Sequence, residues 1–228
     1  MTSDEIAILL LSLKVAGAAM VTSLPLAILV ALVLARLNFP GKSVVRGIVQ
    51  LPLILPPVVT GFGLLILLGR NGAIGAWLYS SLGISFAFRW TGAALAAGVM
   101  GFPLMERAIR LAAEMVDRRL EQAAATLGAG RWRVFATITL PLMLPGIVTG
   151  VLLSFGRSLG EFGATITFVS NIPGETRTLP LAIYTLTQVP EGDVAAFRLV
   201  IISVALSLAT LVGGEYLNQR AFARLHGR

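Results

Sequence analysis

The sequence contains no cysteine and a single histidine. Without cysteine there is no disulfide, no thiol nucleophile and no thiolate metal site. The lone histidine, His226, lies in the C-terminal tail, where it reads as a solvated side chain rather than a catalytic or metal-binding one. Charge is also scarce. Only 13% of the residues are Asp, Glu, Lys or Arg, against about 25% in soluble domains. Acidic residues are the scarcer kind, 11 against 18 Lys and Arg, for a net charge of +7. In their place stand hydrophobic residues, 56% of the chain, with a mean hydropathy of +0.86. A chain this apolar has too little polar surface to cover a water-soluble globule. The solvent that fits it is lipid, and its 228 residues make one transmembrane domain, 1–228, without a large soluble appendage. The basic excess does not point to nucleic acid, because the arginines lie between long apolar runs and not on one face of a soluble fold.

A spanning helix needs about 20 mainly apolar residues. Five stretches qualify or nearly do: Val15–Ala35, Gly47–Gly69, Trp90–Met105 with an extension to about Ala113, Val134–Gly156, and Ala195–Leu217. In the extension of the third, Arg107 and Arg110 are expected to snorkel toward headgroups. The fourth runs on into a more polar stretch, Arg157–Ser170. The N-terminus, Met1-Thr2-Ser3-Asp4-Glu5, is acidic and lacks the basic region of a cleaved signal peptide, so the first run is expected to remain as a span. Alternate loops divide sharply in charge. One set holds Arg36, Lys42, Arg46, Arg107, Arg110, Arg118, Arg119, Arg131, Arg133, Arg220, Arg224 and Arg228; the other holds Arg70, Arg89, Arg177 and Arg198 beside several carboxylates. By the positive-inside rule the first set is cytoplasmic. The expectation is an all-α membrane protein of about five spans, N-terminus outside and C-terminus inside.

Leu51-Pro-Leu-Ile-Leu-Pro-Pro-Val-Val-Thr-Gly61 echoes Leu140-Pro-Leu-Met-Leu-Pro-Gly-Ile-Val-Thr-Gly150. Two readings stand: a parallel internal repeat of the kind that builds transport folds, or a basic, glycine-led membrane entry that arose twice. Pro56-Pro57 is expected to kink the second span by removing backbone donors, for gating or for packing. Gly146, Gly150 and Ser154 form a ladder of small residues suited to close helix contact. Gly41-Lys42-Ser43 has the ending of a phosphate-binding loop, but position 36 is arginine where that loop requires glycine, so no phosphate cradle exists.

The stretch between the third and fourth spans is long for a membrane loop and is not of disordered composition. Leu120, Ala124 and Leu127 recur at helical spacing. Gly128 then suits the left-handed position that ends a helix, Gly130 adds freedom, and a second helix is expected from Arg131. A short helix across the span axis, with an alanine ridge and charged flanks, fits the groove of another protein. Its apolar face is too thin for strong lipid binding.

Gln122-Ala123-Ala124, then Gly128, then Ile138-x-Leu140-Pro141 resembles the E-A-A loop of the membrane subunits of binding-protein-dependent ABC importers. One position departs: Gln122 stands where that family usually has glutamate. Glu121 is adjacent, but neighbours on a helix point about 100° apart. Phe39-Pro-Gly-Lys-Ser43, Leu51–Pro57, Ser158–Phe168 and Asn171–Thr178 extend the resemblance over nearly the whole chain, to the molybdate-transporting branch. The resemblance implies a type I permease core over about residues 11–214, with an ATPase-coupling loop over about 114–141. Its contact residues would be Leu120, Glu121, Gln122, Ala123, Ala124, Leu127, Gly128, Arg131, Ile138, Leu140 and Pro141. It also implies a permease homodimer in the bacterial inner membrane, two cytoplasmic ATPase subunits and a periplasmic molybdate-binding protein. ATP and Mg would sit on the ATPase, leaving this chain without a cofactor and without catalysis of its own.

Arg157 and Glu161 are four apart and can pair on a helix, offsetting the cost of charge in the bilayer. Arg157 lies about 25 Å from Leu140 at 1.5 Å per residue, near the outer boundary of the hydrocarbon. The pair reads either as a structural bridge or as part of a translocation path or gate, with Ser158, Thr165 and Thr167 supplying hydroxyls. Rival functions are a sulfate, thiosulfate or tungstate permease and, in another class, an ion-coupled carrier using Glu161. No nucleophile–base constellation points to an intramembrane enzyme.

Overall fold

The computed structural model describes residues 2–225, with side chains placed for all of these except 217 and 221–225; His226 lies outside the described residues. Eleven α-helices occur among them. Helix α1 (Ser3–Arg36) opens on a reciprocal cap, Thr2 Oγ1 accepting from the Glu5 amide while Glu5 accepts from the Thr2 amide. It is about 51 Å long at 1.5 Å per residue, well beyond the ~30 Å of a bilayer core. It extends through Lys14, outside the uncharged run expected from sequence, and the Lys14 ammonium lies over the Trp90 ring at 3.7 Å.

The next span is not one helix. α2 (Lys42–Ile54) and α3 (Pro57–Leu68) meet at 112°. The kink expected at Pro56-Pro57 is a full break: a proline disfavours helical geometry in the residue before it, and two in succession act on adjacent residues. Leu55 and Pro56 are both extended. The echoing segment carries a single proline at the matching place, Pro145, and stays helical through it. α4 (Gly75–Leu82) is a short surface helix, and α5 (Trp90–Met115) crosses the centre of the molecule. α6 (Arg118–Thr126) follows, then α7 (Arg131–Val134), a π-helical turn (Phe135–Thr139) and α8 (Leu140–Leu159), which together run as one long helix. The polar stretch after α8 breaks at Gly160–Phe162, giving α9 (Gly163–Val169); α10 (Leu179–Leu186) and α11 (Asp193–Leu225) complete the chain.

Helices α1, α5 and α8 form the core, with α3 and α9 on one flank and α10 and α11 on the other. Their contacts are built from small residues: Ala16, Ala19, Ala27 and Ala31 of α1 and Ala93, Ala96 and Ala97 of α5 are all buried. The ladder on α8 faces α5. A Cβ on Gly150 would lie 2.9 Å from the Met105 carbonyl, and one on Gly146 would collide with Ala112. Lipid offers no hydrophobic drive between helices, so this close approach is what holds them.

By length and apolarity three helices can cross a membrane, α1, Arg131–Leu159 and Asp193–Arg220, and the bent pair α2–α3 raises the number to four. The third expected span, α5, carries Glu106, Arg107, Arg110 and Glu114 along its last turns. Those charges explain the lower number.

Gly150→Leu is expected to force α5 from α8 and cost about 1–3 kcal/mol, read as a lower melting temperature of the solubilised protein. Gly156→Ala, with open space around its Cβ, should melt as the parent does. Equal melting of both variants with the parent would remove the contact from the account of stability.

Candidate functional site

The segment joining α5 to α8 is built by local signals. Asp117 accepts a 2.8 Å hydrogen bond from the Arg119 amide and starts α6. At the other end Gly128 has φ +83°. Its amide donates to the Ala125 carbonyl, and the Ala129 amide to that of Ala124. This paired closure is the motif that a left-handed glycine permits. The chain then turns at Gly130 and re-enters helix at Arg131.

The two sides of this hairpin differ in character. Toward the bundle, Glu121 Oε1 accepts from Arg36 Nη2 at 2.9 Å and from Thr139 Oγ1 at 2.6 Å. Arg118 donates to the Arg36 carbonyl at 3.4 Å. A cavity of about 360 Å³ lies under the helix, lined by Arg118, Glu121, Gln122, Arg131, Phe135 and Thr139 among others. Toward solvent, Leu127 and Trp132 are 88% and 84% exposed. Leu120, Gln122, Ala123 and Arg131 are exposed too, while Ala124, Ile138, Leu140 and Pro141 are half-buried. Two large apolar side chains are thus held out at the turn, with the exposed Arg131 and Arg133 beside them.

The expected pairing of Arg157 with Glu161 is present, but not along one helix. Glu161 lies past the end of α8, 1% exposed at its side chain, and bonds the Ala164 amide of α9 at 2.8 Å. Arg157 remains 27% exposed. The hydroxyls of Ser158 and Thr167 bond elsewhere. Ser158 donates to the Ala97 carbonyl of α5, Thr167 to the Gly163 carbonyl of its own helix, and Thr165 is buried. A neighbouring cavity of about 520 Å³ is lined by Gly156, Phe162, Tyr184 and Ser203 among others, and by none of these five residues. Among the described residues no cluster of His, Cys, Asp or Glu could hold a metal ion.

Arg110 does not snorkel. It is 8% exposed and bridges Glu106 at 2.9 Å and Glu114 at 3.1 Å. Gln50 of α2 donates to the other oxygen of Glu106 at 3.1 Å.

Residues 23–223 match the family described as binding-protein-dependent transport system inner membrane component. The chain belongs to this family. It is 61% identical over 217 residues to the molybdenum transport system permease protein ModB of Escherichia coli (strain K12), covering 95% of each chain. To the sulfate transport system permease protein CysT of the same strain it is 37% identical, over 88% of this chain and 72% of that one. Among solved structures, a bacterial ABC transporter involved in the import of the acidic polysaccharide alginate superposes with a TM-score of 0.75 over 96% of this chain and 80% of that one, at 19% identity. That likeness shows the fold, a type I ABC importer permease fold.

For a member of this family, the sequence reading found the hairpin but missed two polar features. The Glu106–Arg110–Glu114 ladder was legible as three charges at i, i+4 spacing. Arg36 and Thr139 as partners of Glu121 carried no local signal, since they lie 85 and 18 residues away.

Removing one member of the buried ladder strands a charge, at about 3–5 kcal/mol. Arg110→Ala should therefore lower the melting temperature sharply, and Glu106→Gln combined with Arg110→Met should recover most of it. A single variant as stable as the parent would show that the ladder is hydrated.

Proposed function

We propose that this chain is the membrane-spanning permease subunit of an ATP-driven importer that carries molybdate across the bacterial cytoplasmic membrane. The observation that carries the reading is the near-complete likeness to a molybdenum permease, far above the likeness to a sulfate permease of the same organism. In this reading two copies of the chain enclose the path. Two cytoplasmic ATPase subunits hold ATP and Mg, and this chain catalyses nothing by itself. A periplasmic protein delivers the anion.

The hairpin from Arg118 to Pro141 is the docking element. Leu120, Leu127 and Trp132 supply exposed apolar surface, and Gln122, with Ala123 beside it, takes the place of the usual acidic contact. Closure of the ATPase dimer on nucleotide stabilises one arrangement of the spans over another, and the cavity alternates its access. Selectivity belongs mainly to the soluble binding protein. A site that held a dianion tightly inside the path would trap it, since conduction requires binding weak enough to leave. Of the five candidate path residues, Arg157 is the one whose charge remains partly open to its surroundings; Glu161 pairs with it and accepts from the Ala164 amide of α9, and Ser158 bonds α5, while Thr165 and Thr167 lie on α9.

Reconstituted in vesicles with its ATPase and binding protein, the complex should hydrolyse ATP faster with molybdate-loaded than with sulfate-loaded binding protein. Arg157→Ala should lower molybdate uptake in the same vesicles. Stimulation by sulfate alone, or uptake driven by an ion gradient without the ATPase, would defeat the assignment.

The arrangement also supports five crossings, with α5 as the one whose charges pair internally. Arg36, the α6 hairpin and Asn218 gather at one end of the bundle, Glu5 and Arg198 at the other. The arginine-rich end is read as cytoplasmic. A reporter active only in the cytoplasm should work when fused after residue 228 and fail when fused before residue 1; the opposite pattern would reverse the orientation.

A further inference from the structure

Helix α6 has little to hold it in place. It is nine residues long, and none of them is buried. An isolated helix of that length is marginal in water. An open cleft of about 360 Å³ lies between α6 and the segment of α7 and the π-helical turn. Its attachment is polar and concentrated in one turn. A single oxygen of Glu121 takes both the Arg36 guanidinium and the Thr139 hydroxyl. Arg118, one turn earlier on the same face, bonds the carbonyl of that same Arg36.

The partners belong to two different core helices. Arg36 is the last residue of α1, and Thr139 is the last residue of the π-helical turn from which α8 continues. Arg36 and Glu121 are about one-fifth exposed at their side chains, and Thr139 is buried. The bonds are charge-assisted, and bonds of that kind are roughly twice as strong as neutral ones. Gln122, the next residue, points about 100° away around the helix and is exposed. Gln122 sits at the rim of the same cleft, and Glu121 is the one of the two that bonds to the core helices.

We infer that Glu121 is a positioning residue which locks α6 to the end of α1 and the foot of α8, so that movement of the docked ATPase reaches both core helices together. The inference rests on the reading of α6 as the ATPase-docking element. Breaking the lock leaves the hairpin folded by its own caps and able to bind the ATPase, but free to tilt over the cavity without moving the spans.

The test uses the full complex in vesicles with its ATPase and molybdate-loaded binding protein. Three quantities are read: ATPase retained on purification, ATP hydrolysed, and molybdate taken up. Glu121→Gln and Arg36→Gln should each retain the ATPase at the parent level while uptake per ATP falls about tenfold, the scale of a typical coupling between sites. The reversed pair, Arg36→Glu with Glu121→Arg, should recover most of the loss, as two side chains acting through each other require; a merely structural role would lower ATPase retention and leave uptake per ATP unchanged. Parent-level uptake per ATP in both single variants would overturn the inference. So would loss of the ATPase from Glu121→Gln, which would assign the residue to docking instead. Failure of the parent chain itself to retain an ATPase would defeat the docking reading on which the inference stands, and is distinguishable for that reason.

Discussion

In hydrocarbon a charge persists only beside a counter-charge, and a backbone polar group only with a partner. That constraint decides where charge can stand in this molecule. Its ion pairs sit where segments must be joined. Glu5 and Arg198 tie the starts of α1 and α11. Arg157 and Glu161 span the break between α8 and α9. Glu106, Arg110 and Glu114 let α5 carry charge, and Gln50 joins that ladder to α2. Arg36 and Glu121 close the hairpin onto the bundle. Where no charge is present, helices meet through alanine and glycine, which lets backbones approach.

The same constraint explains how function is laid out. A path for an anion cannot be lined with fixed cations without becoming a trap, so the recognisable chemistry moves outward to the ends of the spans. The hairpin between α5 and α8 is the clearest case. Its exposed side offers Leu127 and Trp132, and its inner side offers Glu121. In the proposed function the hairpin relays between a nucleotide-driven partner and the membrane, which needs both, one surface to be pushed and another to push with.

How much was legible in the sequence depended on the range of the interaction. Gly128 and the helix start at Arg131 are local features, and their geometry follows from backbone sterics. The proline pair was legible as a disturbance, but its size was not, because a break needs two consecutive residues expelled from the helix. The arginines of α5 make it read as a short span, while the carboxylates one turn to either side of Arg110, which pair with it, are equally visible at i, i+4 spacing. Lys14 was missed because only the fold brings Trp90 beneath it. The partners of Glu121 and the inward bonds of Ser158 lie on distant segments, and no periodicity encodes them.

The break between α2 and α3 has one more consequence. Pro56 and Pro57 have no amide hydrogen to return to the carbonyls of Pro52 and Leu53, four residues earlier. Two acceptors are thereby left without their helical donors, beside Ile54, Val58 and Phe62, which are exposed on this single chain. Lipid cannot supply hydrogen bonds to them. However oily its side chains, this elbow belongs against water or against another protein surface.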